Sequence, residues 1–251
     1  MPYSKILVVS DNEAILSAFI SLLNDQPQLK EARSFRYACH PKHASLVNKK
    51  IGEAVVEPLD IKQAYNSIIK DYDLVISAHC KQIFPAGLIE KVKCINIHPG
   101  YNPYNRGWYP QVFSILNGLP LGATIHEIDQ ELDHGAIIAR QKVELKASDT
   151  SLTAYNRVQA MELELLKRHL EAILNGSYQT EAPEKEGNVN YKQDFDELRE
   201  IDLGQKLTFK EAIDKLRALS HPPYKNAYFI DPATGKKVWV GIELEEEEGR
   251  E

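Results

Sequence analysis

Apolar and polar positions along this chain follow two rhythms, one suited to buried strands and one to amphipathic helices. Lys5–Ser10 (KILVVS) is a continuous apolar run with β-branched residues, the pattern of a strand covered on both faces. Asp11 or Asn12 can then cap a helix on which Ile15, Leu16, Phe19, Ile20 and Leu23 recur at helical spacing. Ser34–Cys39 reads as a second strand, His40-Pro41 as the start of a short helix or turn, and Val55–Pro58 as a weak strand. Asp60 caps a helix carrying Ile61, Ala64, Tyr65, Ile68 and Ile69. Leu74–Ala78 is another buried strand, Pro85–Glu90 a helical turn, and Cys94–His98 the next strand. Trp108–Asn117, stopped by Gly118, reads as a helix, and Leu121–Ile128 and Ile137–Leu145 as strands around a turn at Asp133.

Beyond residue 150 the rhythm lengthens. Leu152–Leu174 is one long amphipathic helix closed by Asn175-Gly176. Asn188–Asp202 is polar and reads as a loop-rich connection. Thr208 caps a helix (FKEAIDKLRALS), and Ala227–Ile230 and Lys237–Leu244 flank Asp231–Gly235 as a β-hairpin. The tail EEEEGRE is a run of like charge and is expected to be disordered.

Strands alternating with helices at this spacing predict an α/β fold: a Rossmann-like, largely parallel sheet with helices on both faces. A small C-terminal region, helix plus β-hairpin, follows it. The expected division is residues 1–187 and 188–251. Ligands of such sheets sit at the carboxyl ends of the strands. Ser10, His79, His98 and Asp133 all fall at or just after strand ends, which gathers them into one crevice.

Composition narrows the possibilities. The chain has 251 residues, 43% of them hydrophobic, enough for one large domain with a small appendage. A net charge of −6 argues against general affinity for nucleic acid. No stretch approaches the ~20 apolar residues of a membrane span, and the N-terminal apolar run is too short for a signal peptide. Cys39, Cys80 and Cys94 are odd in number and lack CxxC spacing, which points to a reduced, cytoplasmic setting.

The candidate chemistry is concentrated between Cys94 and Ile138. The spacing of Asn96 and His98 puts both on one face of an otherwise apolar strand, where they need partners or solvent. They could simply cap loops, and Asp133 in Leu-Asp-His-Gly could simply shape a turn. Together, an amide donor, an imidazole and a carboxylate can also move an acyl group. His79, Cys80, Cys94, His98, His126 and His134 are metal-ligand types without paired short spacings, so no metal site is expected. No GxGxxG follows the first strand, which disfavours dinucleotide binding.

The order Asn96, His98-Pro99, Pro103, Arg106-Gly107, then Leu132-Asp133-His134-Gly135 resembles the folate-dependent formyltransferases. The likeness spans roughly residues 5–230 and continues into Ile213–Phe229 (IDKLRALSHPPYKNAYF). Within that superfamily, HPGYNPYNRGWYPQVFSI and SAHCKQIFP look like the sugar N-formyltransferases. The methionyl-tRNA branch usually reads His-x-Ser-Leu-Leu-Pro and has a larger basic C-terminal domain. It is retained as the alternative, beside a non-catalytic nucleotide-sugar-binding protein.

The resemblance implies a formyl donor, 10-formyltetrahydrofolate, with no metal. It implies as acceptor a nucleotide-linked amino sugar, dTDP-4-amino-4,6-dideoxyglucose first among dTDP-linked amino-dideoxy sugars, destined for a cell-surface glycan. Asn96 would stabilise the developing oxyanion, His98 would take a proton from the attacking amine, and Asp133 would orient the imidazole or relay the proton through water. On the cofactor side stand Ile83, Arg106, Leu132, Gly135 and Ile137. On the acceptor side stand Ser10, Asn12, Ser77, His79, Lys81, Trp108, Tyr224 and Asn226. Lys81 and Arg106 are the cations available for a pyrophosphate, and Tyr224 could stack on the base. The expected partners are the nucleotide sugar and a second copy of the chain, paired through the hairpin around Trp239. Neither nucleic acid nor a membrane is among them.

Overall fold

Five parallel strands are the frame of the protein, described here for residues 2–247 of a computed structural model. They are β1 (Lys5–Val9), β2 (Ser34–Cys39), β4 (Ala54–Pro58), β5 (Leu74–Ala78) and β6 (Lys93–His98), and a two-residue β3 (Lys50–Ile51) edges β4. β1 and β5 are almost wholly buried because their residues are apolar on both faces.

Helices α1 (Glu13–Asp25), α2 (Ile61–Asp71) and α3 (Ala86–Ile89) link the strands. Asn12 caps α1 by accepting from the Ala14 and Ile15 amides, and Asp60 caps α2 by accepting from Gln63. The next elements are the two-residue β7 (Arg106–Gly107) and α4 (Pro110–Asn117), then β8 (Leu121–Glu127) and β9 (Ile137–Val143). The sheet order is β3-β4-β2-β1-β5-β6-β8-β9, with β8 antiparallel to β6 and β9 antiparallel to β8.

The long helix α5 (Ser151–Asn175) starts at a Thr150 cap and stops at Gly176 in the left-handed conformation. Its apolar stripe joins that of α1 on one face of the sheet: Ile15, Leu16, Phe19, Leu165, Leu166 and Leu170 are all at most 2% exposed. α2 and α3 cover the other face through Ile61, Ile68 and Leu88. Each such side chain contributes about 1.5–3 kcal/mol by leaving water.

The C-terminal region holds β10 (Val189–Asn190), α6 (Lys192–Leu198), α7 (Phe209–Leu219), β11 (Ala227–Ile230) and β12 (Lys237–Val240). α7 has a reciprocal cap between Thr208 and Glu211. β10 pairs in parallel with β7, and β11 with β12 form the expected hairpin.

Several boundaries differ from the sequence expectation. The helix expected from Trp108 begins at Pro110, because Tyr109 adopts a left-handed backbone (φ 54°). The segment 188–202, expected to be loop-rich, contains β10 and α6. α6 escaped notice because it has seven residues and buries only Phe195. The second hairpin strand ends at Val240 rather than Leu244, and β8 and β9 stop one and two residues early. Of the acidic tail, residues 248–251 lie outside the described residues. Among the described residues no helix is long and apolar enough to cross a membrane.

Candidate active site

The carboxyl end of β6 carries the site. Strand alternation puts Asn96 and His98 on the face away from Ile95 and Ile97, which pack into the α1–α5 core. β8 runs antiparallel beside β6 and sets His126 opposite Asn96. The loop from 128 to 136 then folds back, and Asp133, with φ at 48°, reaches the same spot.

Asp133 is held from several sides. Its Oδ1 accepts from Asn96 Nδ2 at 3.0 Å, and its Oδ2 accepts from the Gly107 amide at 3.1 Å. Its carbonyl accepts from Asn102 Nδ2 at 2.8 Å. Gly107 must be glycine here: its φ is 89°, and an added Cβ would lie 2.4 Å from the Asn190 carbonyl oxygen. Burial by itself would raise the Asp133 pKa. The neighbouring His98 and His126, with the Gly107 amide, outweigh it and hold the carboxyl well below the usual range.

His98 is 4% exposed, and burial pushes its pKa down to about 4 although Asp133 pulls the other way. The imidazole is therefore neutral at pH 7. Its Nδ1 lies 3.4 Å from Asp133 Oδ2, close enough for charge to matter but not aligned as a hydrogen bond. Its Nε2 is buried and has no partner. A buried polar nitrogen without a partner costs free energy, which suits an atom kept ready for a ligand. Gly100 creates the space beside it, since a Cβ there would stand 2.3 Å from Nε2.

His126, 1% exposed, was weighed in the sequence only as a metal-ligand type. Its Nδ1 donates to the Glu127 carbonyl oxygen at 2.7 Å, so its Nε2 accepts from Asn96 Nδ2 at 3.2 Å. Asn96 thus spends both amide hydrogens inside the cluster.

The remaining expected residues divide by what their atoms do. Ile83 and Leu132 are apolar yet 86% and 41% exposed, as suits a wall for a flat aromatic ligand. Gly135 packs its backbone against the Glu127 carbonyl, and Ile137 is 1% exposed within β9, so neither presents a side-chain surface. Arg106 is 3% exposed and donates to Glu186 at 2.8 Å, its Nε unpartnered. That burial leaves Lys81 as the exposed cation of the two expected for a pyrophosphate.

Ser77 stands beside Asn96 in the β5–β6 register. The Ser10 hydroxyl bonds to the Asn12 backbone, Asn12 caps α1 and donates to Tyr155, and Asn226 donates to the Leu219 carbonyl. Trp108 is half-buried against Tyr109, and Tyr224 is 69% exposed. His79 is drawn to the α5 side, where its Nε2 meets the Glu162 carboxylate at 2.7 and 2.9 Å. Its φ of 60° turns it out of the strand alternation. Among the described residues one potential metal cluster occurs, Glu131, His134 and Glu186, and it shares Glu186 with the Arg106 ion pair.

Residues 7–170 match the model of a family described as formyl transferase, and residues 194–246 match an N-formyltransferase dimerization C-terminal domain. A dTDP-4-amino-4,6-dideoxyglucose formyltransferase of Mycobacterium bovis is 50% identical over 192 residues, covering 76% of this chain and 82% of that protein. A crystal structure of a 4-N formyltransferase from Francisella tularensis superposes with a TM-score of 0.91 at 47% identity, over 97% of this chain and 98% of the other. A sugar N-formyltransferase from Shewanella sp. FDAARGOS_354 superposes with a TM-score of 0.88 at 39% identity, over 98% and 99%.

Proposed function

The chain belongs to the formyl transferase family, and from that premise we propose that it moves the formyl group of 10-formyltetrahydrofolate onto the amine of dTDP-4-amino-4,6-dideoxyglucose. The observation that carries the reading is the buried, neutral His98 with its unpartnered Nε2 beside Asp133 and Asn96. A base must be unprotonated to work, and this one is at neutral pH. The exposed Ile83 and Leu132 side chains would suit the apolar face of a pterin.

The folate supplies an activated formyl carbon, so the chain need only orient the amine, hold charge and move a proton. His98 Nε2 takes the proton from the attacking nitrogen, and the Asp133 carboxylate steadies the imidazolium that forms. Asn96 donates to the oxygen on which charge builds. To do so it gives up one of its two internal bonds, and the 3.2 Å bond to His126 is the longer. One such donor is worth about 10²–10³ in rate.

Charge supports a nucleotide sugar over tRNA: the chain is acidic, with a net charge of −6. The product would feed cell-surface glycan synthesis, and the three unpaired cysteines suit the cytoplasm. The C-terminal region exposes Phe209, Val238 and Trp239 at 89%, 39% and 41%, an apolar surface suited to pairing two copies.

Incubation with 10-formyltetrahydrofolate and the dTDP-linked amino sugar should add one formyl group to the sugar by mass. No product, together with tight salt-sensitive binding of initiator tRNA, would point instead to tRNA formylation. Sedimentation should give a dimer; a 28.5 kDa species at micromolar concentration would remove the pairing.

A further inference from the structure

The proton balance of this reaction leaves one proton without a destination at His98. An alkyl amine has a pKa of about 8–10 and arrives as an ammonium. Becoming a formamide, it loses two protons. His98 holds one at a time and returns it to the departing folate nitrogen. The other needs a second acceptor.

A second buried proton-handling group stands on the neighbouring strand. Ala78 of β5 pairs with Ile97 of β6, so His79 and His98 each follow one residue later on adjacent strands, with the His79 ring turned to the α5 side. His79 Nε2 meets the Glu162 carboxylate at 2.7 and 2.9 Å, and its Nδ1 meets the Tyr155 hydroxyl at 3.2 Å. Glu162 is 1% exposed in the middle of the apolar stripe of α5, with His79 as its polar partner. The Tyr155 oxygen accepts from Asn12 Nδ2 and Gln159 Nε2, each at 3.3 Å, which turns its own hydrogen toward His79.

From Tyr155 a row of rings leads outward. Tyr155 and His221 are 5.6 Å apart between centroids, and His221 and the exposed Tyr224 are 5.9 Å apart. Tyr155 is half-buried at the inner end of that row.

We propose that Tyr155, His79 and Glu162 form a relay that takes the surplus proton from the acceptor's ammonium group. The proposal rests on the amino-sugar acceptor argued above. The ammonium displaces one of the long amide bonds to Tyr155 and gives its proton to the Tyr155 oxygen. The hydroxyl proton of Tyr155 passes to His79 Nδ1, and the Nε2 proton of His79 passes to Glu162. An ammonium N–H bond breaks, a carboxyl O–H bond forms, and no electrons are gained or lost. Burial raises the Glu162 pKa, so its neutral form is accessible, and the relay runs backward to solvent after product leaves. The titratable groups facing the relay are Asp11 and Cys80 from the loops after β1 and β5, His98 from β6, and His221 and Tyr224 beyond α7.

The test is the pH profile of the full-length enzyme with 10-formyltetrahydrofolate and dTDP-4-amino-4,6-dideoxyglucose. Glu162→Gln should lower kcat about 10-fold or more near pH 6.5, a modest share of a typical acid–base contribution. It should approach wild type above about pH 9, where the amine arrives already neutral. Tyr155→Phe should trace the same profile, with the folate KM unchanged. A deficit of equal size at every pH marks a purely structural role and overturns the relay, as does no deficit. If Glu162→Gln fails to fold, Tyr155→Phe decides. A wild type that forms no product overturns the acceptor reading, and the relay with it.

Discussion

His98 and Asp133 meet at 3.4 Å with the second imidazole nitrogen unpartnered, whereas on the adjacent strand His79 and Glu162 meet at 2.7 and 2.9 Å with both imidazole nitrogens engaged. Both are buried histidine–carboxylate pairs at the carboxyl end of one sheet. The first is loosely joined and leaves a lone pair for a substrate. The second is closed, and its carboxylate is secured within an apolar helix face. Hydrogen-bond satisfaction is what separates the two pairs, and the proposed roles follow from it: one to meet the reacting atoms, the other to act through its neighbour.

The largest effect should come from the open pair. His98→Asn removes the proposed base and should cost about 10²–10⁴ in kcat. Nucleotide-sugar binding by calorimetry should change little; retained turnover would reverse the assignment of the two pairs. Asn96→Ala should lower kcat about 10²–10³-fold with a smaller change in KM. Gly100→Ala sharpens the geometry, because the new methyl must displace the His98 ring. A misplacement near 1 Å costs about 10²-fold, and the overpacking should also lower stability by about 1–3 kcal/mol.

The closed pair should answer in stability. His79→Ala leaves Glu162 buried without its partner, at a cost of about 3–5 kcal/mol by denaturant titration. A carboxyl with a raised folded-state pKa binds more protons folded than unfolded, so that loss should shrink as pH falls toward the ordinary Glu value. A loss independent of pH would mean Glu162 finds other partners. The smallest effect is in the wild-type profile: the acid limb of kcat/KM should lie nearer 4 than the free imidazole's value of about 6.5.

What the sequence disclosed follows from what is local. Leu74–Ala78 and the Thr208 cap were legible because a strand buried on both faces and a capping box are written in adjacent residues. Asn96, His98 and Asp133 were legible as a motif. His126 was not, because its place opposite Asn96 depends on β8 running antiparallel to β6, a pairing between distant segments. The start of α4 was misjudged because nothing in Trp108-Tyr109 announces a left-handed backbone. His79 and Glu162 lie 83 positions apart. Even so, Glu162 left a signal: it occupies a position of the α5 stripe between Val158 and Leu165 where only apolar residues are expected.

The seam between β7 and β10 bears on how freely this protein can be rebuilt. The Asn105 amide and the Arg106 amide donate to Asn188, the Trp108 amide donates to the Asn190 carbonyl, and the Asn105 side chain accepts from both Asn188 and Asn190. These bonds fix the loop that presents the Gly107 amide to Asp133. A fragment cut at residue 187 would lose the bonds that hold the loop around Gly107. The segment after residue 187 is therefore not an interchangeable module. A graft that replaces the C-terminal region must carry residues 188–190 with the recipient's loop, or the loop that presents the Gly107 amide to Asp133 loses its bonds.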